Sequence, residues 1–365
     1  MILVISLLKK IKEGLAEIFV PDVKIPEEGK KYGFYNHRMK IDRDISVAIL
    51  SVFKDKFRKS SEISICDVMG GTGIRGIRYK KEVGGNVIIN DINKNSVELI
   101  KKNVLLNSLD IKVESEDARL LLHKYRSSKN LFDFIDLDPF GSPAIFVDSV
   151  AISLKDFSLV GITATDSPTL FGLYPKTCLR KYGIISYKCP FYRELGTRIL
   201  LSFLIREFAR FGKALYPILS YSILHYVRIY AISKNSIEDC NKSLEKFKDV
   251  SEEMRRFGVN FEKGISIYCG ELHDKKFLLD VSKKLKEMNS EGIKITNLAS
   301  TELDTLFYFD ISWIAKKIKI RKMPPLNRII DTLIDRGYKA SRTIFCQTGI
   351  KTDASFEVIK EVLKI

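Results

Sequence analysis

Between residues 63 and 233, short apolar runs alternate with longer segments in which apolar side chains recur every three to four positions. That alternation is the pattern of parallel strands joined by covering helices. The runs at 63–68, 86–90, 132–137, 159–165, 214–220 and 226–233 predict strands, and 73–83, 93–107, 143–154 and 194–210 predict helices. Only Tyr221 to His225 separate the last two strands. A crossover helix does not fit in that space, so this pair must be antiparallel. The expected fold is α/β, a parallel sheet ending in an antiparallel hairpin.

After about residue 235 the pattern changes to charged helical segments, 236–257 and 274–288, around one strand at 265–269. A smaller α+β unit is expected there. Its end, 311–345, reads as helix, Pro324-Pro325 break, helix 326–336, Gly337 as a C-cap and strand 338–345, a winged-helix-like order.

A chain of 365 residues with 45% hydrophobic content has the volume for two domains with real cores and is not a disordered polymer. Its six cysteines contain no C-x-x-C pair and only four histidines accompany them. No metal site and no disulfide framework is expected, and reduced cytosolic thiols fit better. The apolar start, Met1 to Leu8, is far shorter than a membrane span and is followed, not preceded, by Lys9 and Lys10. A soluble, cytoplasmic protein is the expectation.

The formal net charge is +16, a field that attracts polyanions. The charge is clustered. Lys316, Lys317, Lys319, Arg321, Lys322, Arg328, Arg336, Lys339, Arg342 and Lys351 face only Asp331 and Asp335 within 311–351. A second basic run extends from Lys176 to Lys213. Clustering of this kind predicts phosphate-binding faces, although a solvated helix face also carries lysines.

The first strand runs into Gly71-x-Gly73-x-x-Gly76 at the opening of a helix, and Asp91 follows at the end of the second strand. Glycines there allow a tight turn and close approach of a ligand, and the acid accepts hydrogen bonds from ribose hydroxyls. A dinucleotide enzyme and an S-adenosylmethionine-dependent methyltransferase both satisfy this loop. Asp117-Ala118 falls where the third strand's end meets an adenine edge. Asp138-Pro139-Phe140 closes the fourth strand, aimed into the ligand crevice. A carboxylate beside a proline carbonyl can bind the hydrogens of a nucleobase amine and receive its proton, while the aromatic offers a stacking surface. This is the logic of amino-methyltransferases acting on nucleic acid; the same residues in a turn that merely ends the strand are the plainer alternative. Upstream, Phe34 and Tyr35 with His37, Arg38, Lys40 and Arg43 read either as a lid over the site or as an arm packed on the sheet. Arg43 is a candidate partner for the methionine carboxylate. A non-catalytic nucleic-acid-binding or chaperone module with a vestigial loop is the rival from another class.

The sequence resembles the tRNA (guanine-26,N2)-dimethyltransferases of archaea and eukaryotes across nearly its whole length. The resemblance rests on Phe34-Tyr35-Asn36 with Arg43-Asp44, Thr72-Gly73-Ile74-Arg75-Gly76-Ile77-Arg78, Asp136-Leu137-Asp138-Pro139-Phe140-Gly141-Ser142, Thr163-Ala164-Thr165-Asp166, Cys178-Leu179-Arg180-Lys181-Tyr182, Gly196-Thr197-Arg198-Ile199-Leu200 and Thr348-Gly349-Ile350-Lys351-Thr352. It implies a class I S-adenosylmethionine-dependent methyltransferase with a Rossmann-like sheet. With the pattern along the chain, the expected division is an arm and lid over 1–62, a catalytic domain over 63–234 and an α+β tRNA-binding domain over 235–365. The implied reaction moves one or two methyl groups to N2 of a guanine in tRNA. Carried over by position, Arg43, Gly71, Gly73, Arg75, Asp91, Asp117 and Ala118 contact the cofactor. Asp138 with Pro139 is the catalytic acceptor, and Phe140 and Phe34 flank the guanine. The chain departs from the family at Ile344, where His is common after Ser-Arg-Thr, at Asp42, where many relatives have Asn, and in lacking the cysteine-rich zinc module of some relatives.

Overall fold

A computed structural model describes residues 8–22, 33–59, 61–259, 264–320 and 322–364. Arg321 of the basic segment and all but the last residue of the apolar start lie outside them.

The chain opens with an antiparallel hairpin, β1 (Leu8–Glu13) and β2 (Ala16–Pro21), then a helix, α1 (Lys40–Phe57). The parallel core follows as β3 (Ser64–Asp67), α2 (Ile74–Glu82), β4 (Asn86–Asn90), α3 (Lys94–Leu106), β5 (Lys112–Glu114), α4 (Ala118–Ser127), β6 (Phe132–Leu137), α5 (Val147–Ser153) and β7 (Leu154–Ala164). Two short helices, α6 (Ser167–Leu170) and α7 (Pro175–Tyr182), and the long α8 (Tyr192–Ala209) lead to β8 (Lys213–Ile223) and β9 (Tyr226–Asn235). These strands make one seven-stranded sheet in the order β5-β4-β3-β6-β7-β9-β8. It is parallel through β7, and β9 pairs antiparallel with both β7 and β8. The fold is the expected α/β sheet with its terminal hairpin. The strand order reverses between β3 and β6, so their carboxyl ends flank the crevice in which ligands of such sheets bind.

Residues 40–57, expected as part of an arm and lid, form a core helix instead. Ile45, Ile49 and Phe53 of α1 share one apolar cluster with Ile65, Phe134 and Leu159 of the sheet. Its first turn buries Asp42, Arg43 and Asp44, and those charges are what made the segment read as surface. Each is paired within the protein. The helix α4 was not foreseen, and the third strand, expected only by its end near Asp117, is the edge strand β5, which pairs over only three residues of Lys-Val-Glu with no apolar run to mark it.

The remaining chain supplies α9 (Ile237–Leu244), β10 (Phe247–Asp249), α10 (Ser251–Arg255), β11 (Ser266–Tyr268), α11 (Lys275–Glu287) and α12 (Ile293–Thr301). It ends in β12 (Phe309–Asp310), α13 (Ile311–Lys317), α14 (Leu326–Asp335), β13 (Ala340–Arg342), β14 (Gly349–Thr352) and α15 (Phe356–Val362). The expected helix over 236–257 is interrupted by β10, which pairs with β11. Helices α13 and α14 with the sheet β12-β14-β13 match the winged-helix-like order, with Gly337 at φ +86° after the second helix. This region does not stand apart. One apolar cluster joins Leu195, Ile199 and Phe203 of α8 to Ile267, Phe307 and Ile350, and Phe277, Leu278 and Val281 of α11 pack into the cluster of α1.

Lys351 was counted among the phosphate-binding residues, but its side chain is 2% exposed. Its Nζ lies 3.2 Å from Glu194 and 3.1 Å from Glu302 and donates to the Thr305 carbonyl. Arg198 and Lys213 of the second basic run are buried as well. Arg198 donates to Glu194 and to the carbonyls of Tyr268 and Gly270, and Lys213 to the Leu154 carbonyl. Arg198 and Lys351 thus tie the carboxy-terminal region to α8, and Lys213 ties β8 to the start of β7. The positive field that reaches solvent comes from exposed side chains such as Lys176, Arg180, Lys188, Lys316, Lys317 and Arg328. Among the described residues, no helix is long and apolar enough to cross a membrane and no group of three His, Cys, Asp or Glu is placed to hold a metal ion.

Candidate active site

A cavity of about 940 Å³ opens at the carboxyl ends of β3, β4 and β6. Phe34, Arg43, Gly71, Arg75, Asp91, Asp117, Ala118, Asp138, Pro139 and Phe140 all line it. Of the residues assigned to the cofactor, the guanine or the catalytic acceptor, only Gly73 is outside the lining. It begins α2 at φ +81°, and a Cβ there would press on Ile100, so its place is in the turn.

Gly71, at φ +58°, plays a part that the motif did not reveal. A Cβ on it would stand 3.1 Å from the Phe34 carbonyl oxygen, and one on Gly33 would stand 3.2 Å from the Gly71 carbonyl. The two glycines let the segment carrying Phe34 cross directly over the loop. Gly76 lets α2 approach β4, where a Cβ would overlap Ile89.

The acid after β4 pins the loop. Asp91 accepts the Gly71 N–H at 2.9 Å and the Asn93 N–H at 2.8 Å. Burial pushes its carboxyl above the ordinary value, against the pull of those two N–H groups. Asp117 caps α4 by accepting from the Arg119 N–H; its hydrogen bond with the Arg119 side chain holds it below the ordinary value. Behind the loop, Asp67 accepts the Gly76 N–H at 3.0 Å and stands in register beside Asp136 of the neighbouring strand. Burial and that second carboxylate push Asp67 up to about 7. Sequence reading passed over Asp67, because an acid in a buried strand carries no motif.

Asp138 ends β6 with its side chain 23% exposed. Arg75 Nη2 donates to Asp138 Oδ2 at 2.8 Å and also to Asp42, while its Nη1 donates to Ser46 at 2.8 Å. The guanidinium is therefore turned to the carboxylates of Asp42 and Asp138. Asp42 in turn accepts from the Tyr221 hydroxyl. Arg43 reaches the cavity wall, but its fork is taken up by Glu13: Nε to Oε1 at 2.7 Å and Nη2 to Oε2 at 2.6 Å. Arg78 donates to the same Glu13 at 3.0 Å and to Asp44 at 2.7 Å. Burial raises the Glu13 carboxyl, yet its hydrogen bonds with Arg43 and the two positive charges outweigh that and hold it at about 2. Glu13, Arg43, Asp44 and Arg78 thus clamp the amino-terminal hairpin, α1 and α2 together.

The loop after Asp138 is fixed by the motifs that follow it. Gly141 N–H donates to Thr165 Oγ1 at 2.6 Å, and Thr165 N–H returns a bond to the Gly141 carbonyl. Ser142 donates to the Tyr182 hydroxyl, which donates to Asp166, and Lys181 closes on the same Asp166 at 2.9 Å. Phe140 is 60% exposed and meets Phe34 edge-to-face across the cavity mouth.

The family model of N2,N2-dimethylguanosine tRNA methyltransferase matches residues 14–364. The tRNA (guanine(26)-N(2))-dimethyltransferase of Methanosphaera stadtmanae is 35% identical over 97% of this chain and 96% of its own length. That of Methanothermobacter thermautotrophicus is 36% identical over 97% and 98%. Trm1 from Pyrococcus horikoshii, solved in complex with S-adenosyl-L-methionine, superposes with a TM-score of 0.83 at 31% identity, covering 98% of this chain and 100% of its own. Matched in sequence over nearly its whole length and in fold throughout, the chain belongs to the N2,N2-dimethylguanosine tRNA methyltransferase family.

Proposed function

We infer that this cavity carries out the family's reaction, transfer of one or two methyl groups from S-adenosylmethionine to the exocyclic N2 of guanine 26 in tRNA. The observation that carries the reading is the placement of Asp138, Pro139 and Phe140 in one cavity with the Gly71 loop, Asp91 and Asp117.

The residues fit the cofactor. Asp91 is held by two backbone N–H groups at the end of β4, where a ribose diol would meet it, and Asp117-Ala118 stands at the start of α4 beside the space for an adenine. S-adenosylmethionine, when bound, supplies an electrophilic methyl group on a sulfonium. The chain's own residues prepare the acceptor. A guanine amine is a weak nucleophile, because its lone pair is delocalised into the ring. The Asp138 carboxylate and the Pro139 carbonyl accept the two amine hydrogens, localise the lone pair, and leave the carboxylate placed to take the departing proton. Arg75 fixes Asp138 by its Oδ2. Phe140 and Phe34 give the base its stacking surface.

Guanine 26 must be turned out of the tRNA stack to reach Asp138, at a cost of a few kcal/mol. Phosphate contacts from exposed cations of α7 and of the α13–α14 unit offset it. We place the protein in the cytoplasm, on its free cysteines and its RNA substrate. The test is incubation with labelled S-adenosylmethionine and unmodified tRNA, followed by digestion to nucleosides to identify the product and by base-specific nuclease mapping to place it. N2-methylated guanosine from position 26 supports the reading, and label in any other nucleoside refutes it.

A further inference from the structure

We propose that Leu224, at the tip of the β8–β9 hairpin, is the wedge that fills the gap in the RNA stack when the target guanine turns out into the cavity. The proposal rests on the guanine-methylation reading above.

The strands pair up to Ile223 and Tyr226, leaving Leu224 and His225 as a two-residue turn. In such turns a positive φ at the first residue calls for glycine, asparagine or aspartate. Here a leucine takes it, at φ +53°. A branched apolar side chain held in the left-handed region is strained, and strain of this kind persists where the surroundings enforce it and points to use. The leucine does not repay the strain by packing: it is 41% exposed. It stands instead on the wall of the cavity that holds Asp138 and Phe140.

The tip is also braced. Arg193 Nη1, from α8, donates to the Ser222 carbonyl, the Ser222 hydroxyl and the Leu224 carbonyl at 3.4–3.5 Å. Its guanidinium lies 5.6 Å from the Tyr192 ring and 5.9 Å from the Phe171 ring. An apolar side chain held on the wall of this cavity meets the requirement of a wedge: it takes the place of a base without asking for hydrogen bonds, as apolar side chains do when they part stacked bases. Phe34 and Phe140, inside the mouth, are left for the extruded guanine. Leu224 is thus a positioning residue, touching the RNA and not the reacting atoms.

Leu224→Gly tests this without unfolding risk, because glycine suits the turn better than leucine does. The probe is tRNA with 2-aminopurine in place of the target guanine, whose fluorescence rises as the base leaves the stack. The full-length variant should bind S-adenosylmethionine as the wild type does, yet lose most of the fluorescence rise and transfer methyl to ordinary tRNA roughly tenfold or more slowly. Leu224→Phe should retain both. On RNA whose target guanine is already unstacked between abasic sites, Leu224→Gly should regain wild-type rate. Wild-type behaviour of Leu224→Gly on ordinary tRNA, or an equal defect on the pre-opened RNA, overturns the wedge. Absence of any transfer by the wild-type protein overturns the guanine-methylation reading itself.

Discussion

The rings of Phe34 and Phe140 meet with their centroids 5.0 Å apart and their planes at 83°, so an aromatic from before α1 and one from the end of β6 close the mouth of the cavity on each other. Two rings in edge-to-face contact leave no gap for a third, so a guanine reaching Asp138 has to part them and exchange one aromatic contact for two. Single substitution to alanine should weaken productive RNA binding by about 1–3 kcal/mol per lost stack, roughly 5- to 150-fold in kcat/KM for tRNA, while S-adenosylmethionine affinity holds. Steady-state kinetics with either substrate varied checks this. A loss confined to cofactor binding contradicts it.

The close crossing of the Phe34 segment over Gly71 makes that glycine a coupling point. Gly71→Ala places a Cβ 3.1 Å from the Phe34 carbonyl and forces alanine into φ +58°. The left-handed conformation alone costs about 1–2 kcal/mol. Both cofactor affinity and methyl transfer should fall, with Tm lowered by a few degrees. Calorimetry of cofactor binding alongside thermal melts reads both effects, and an unchanged affinity would show that the loop tolerates the displacement.

Most of the site was legible because its residues sit at strand ends, where order along the chain translates directly into place. Gly71, Asp91, Asp117 and Asp138 each follow a parallel strand, and the sheet gathers them. The arginines were less legible. Arg43 and Arg75 look alike as cations near a ligand, but their partners, Glu13 and Asp42, come from segments whose contacts sequence spacing does not encode. The same holds for α1, whose buried charges imitate a surface helix, and for Lys351, buried between acids from α8 and the carboxy-terminal region. Ile344, where the family commonly has His, is half-buried between the two apolar clusters, with its N–H on Glu302.

That relocation of Lys351 separates two basic populations by experiment. Lys351→Met leaves Glu194 and Glu302 without their shared cation and should cost about 3–5 kcal/mol of stability, read as a lower urea midpoint. The salt slope of tRNA binding should not change. Lys316→Ala with Lys317→Ala should do the opposite, leaving the midpoint near wild type and making the slope shallower by roughly 1.5. A shallower slope for Lys351→Met would return that residue to the phosphate-binding face.

Asp67 gives the protein a pH signature. Its carboxyl is raised from 3.8 to about 7 by burial and Asp136, so the folded state keeps a proton that the unfolded chain releases above pH 3.8. Below that pH both states are protonated and nothing is lost. Between about 4 and 7 each pH unit removes about 1.4 kcal/mol. Asp67→Asn, which mimics the protonated acid, should match the wild type near pH 4 and gain on it steadily up to pH 7. Denaturation of the pair across that range checks it; a constant difference would mean that Asp67 is ionised in the folded protein throughout.

The claim on which the rest depends is that Asp138 receives the guanine amine. Single-turnover methyl transfer to unmodified tRNA by Asp138→Ala, with S-adenosylmethionine affinity measured on the same preparation, tests it most directly. The rate should fall by about 10²- to 10⁴-fold with cofactor affinity essentially unchanged. A variant that methylates guanine 26 at the wild-type rate would contradict it.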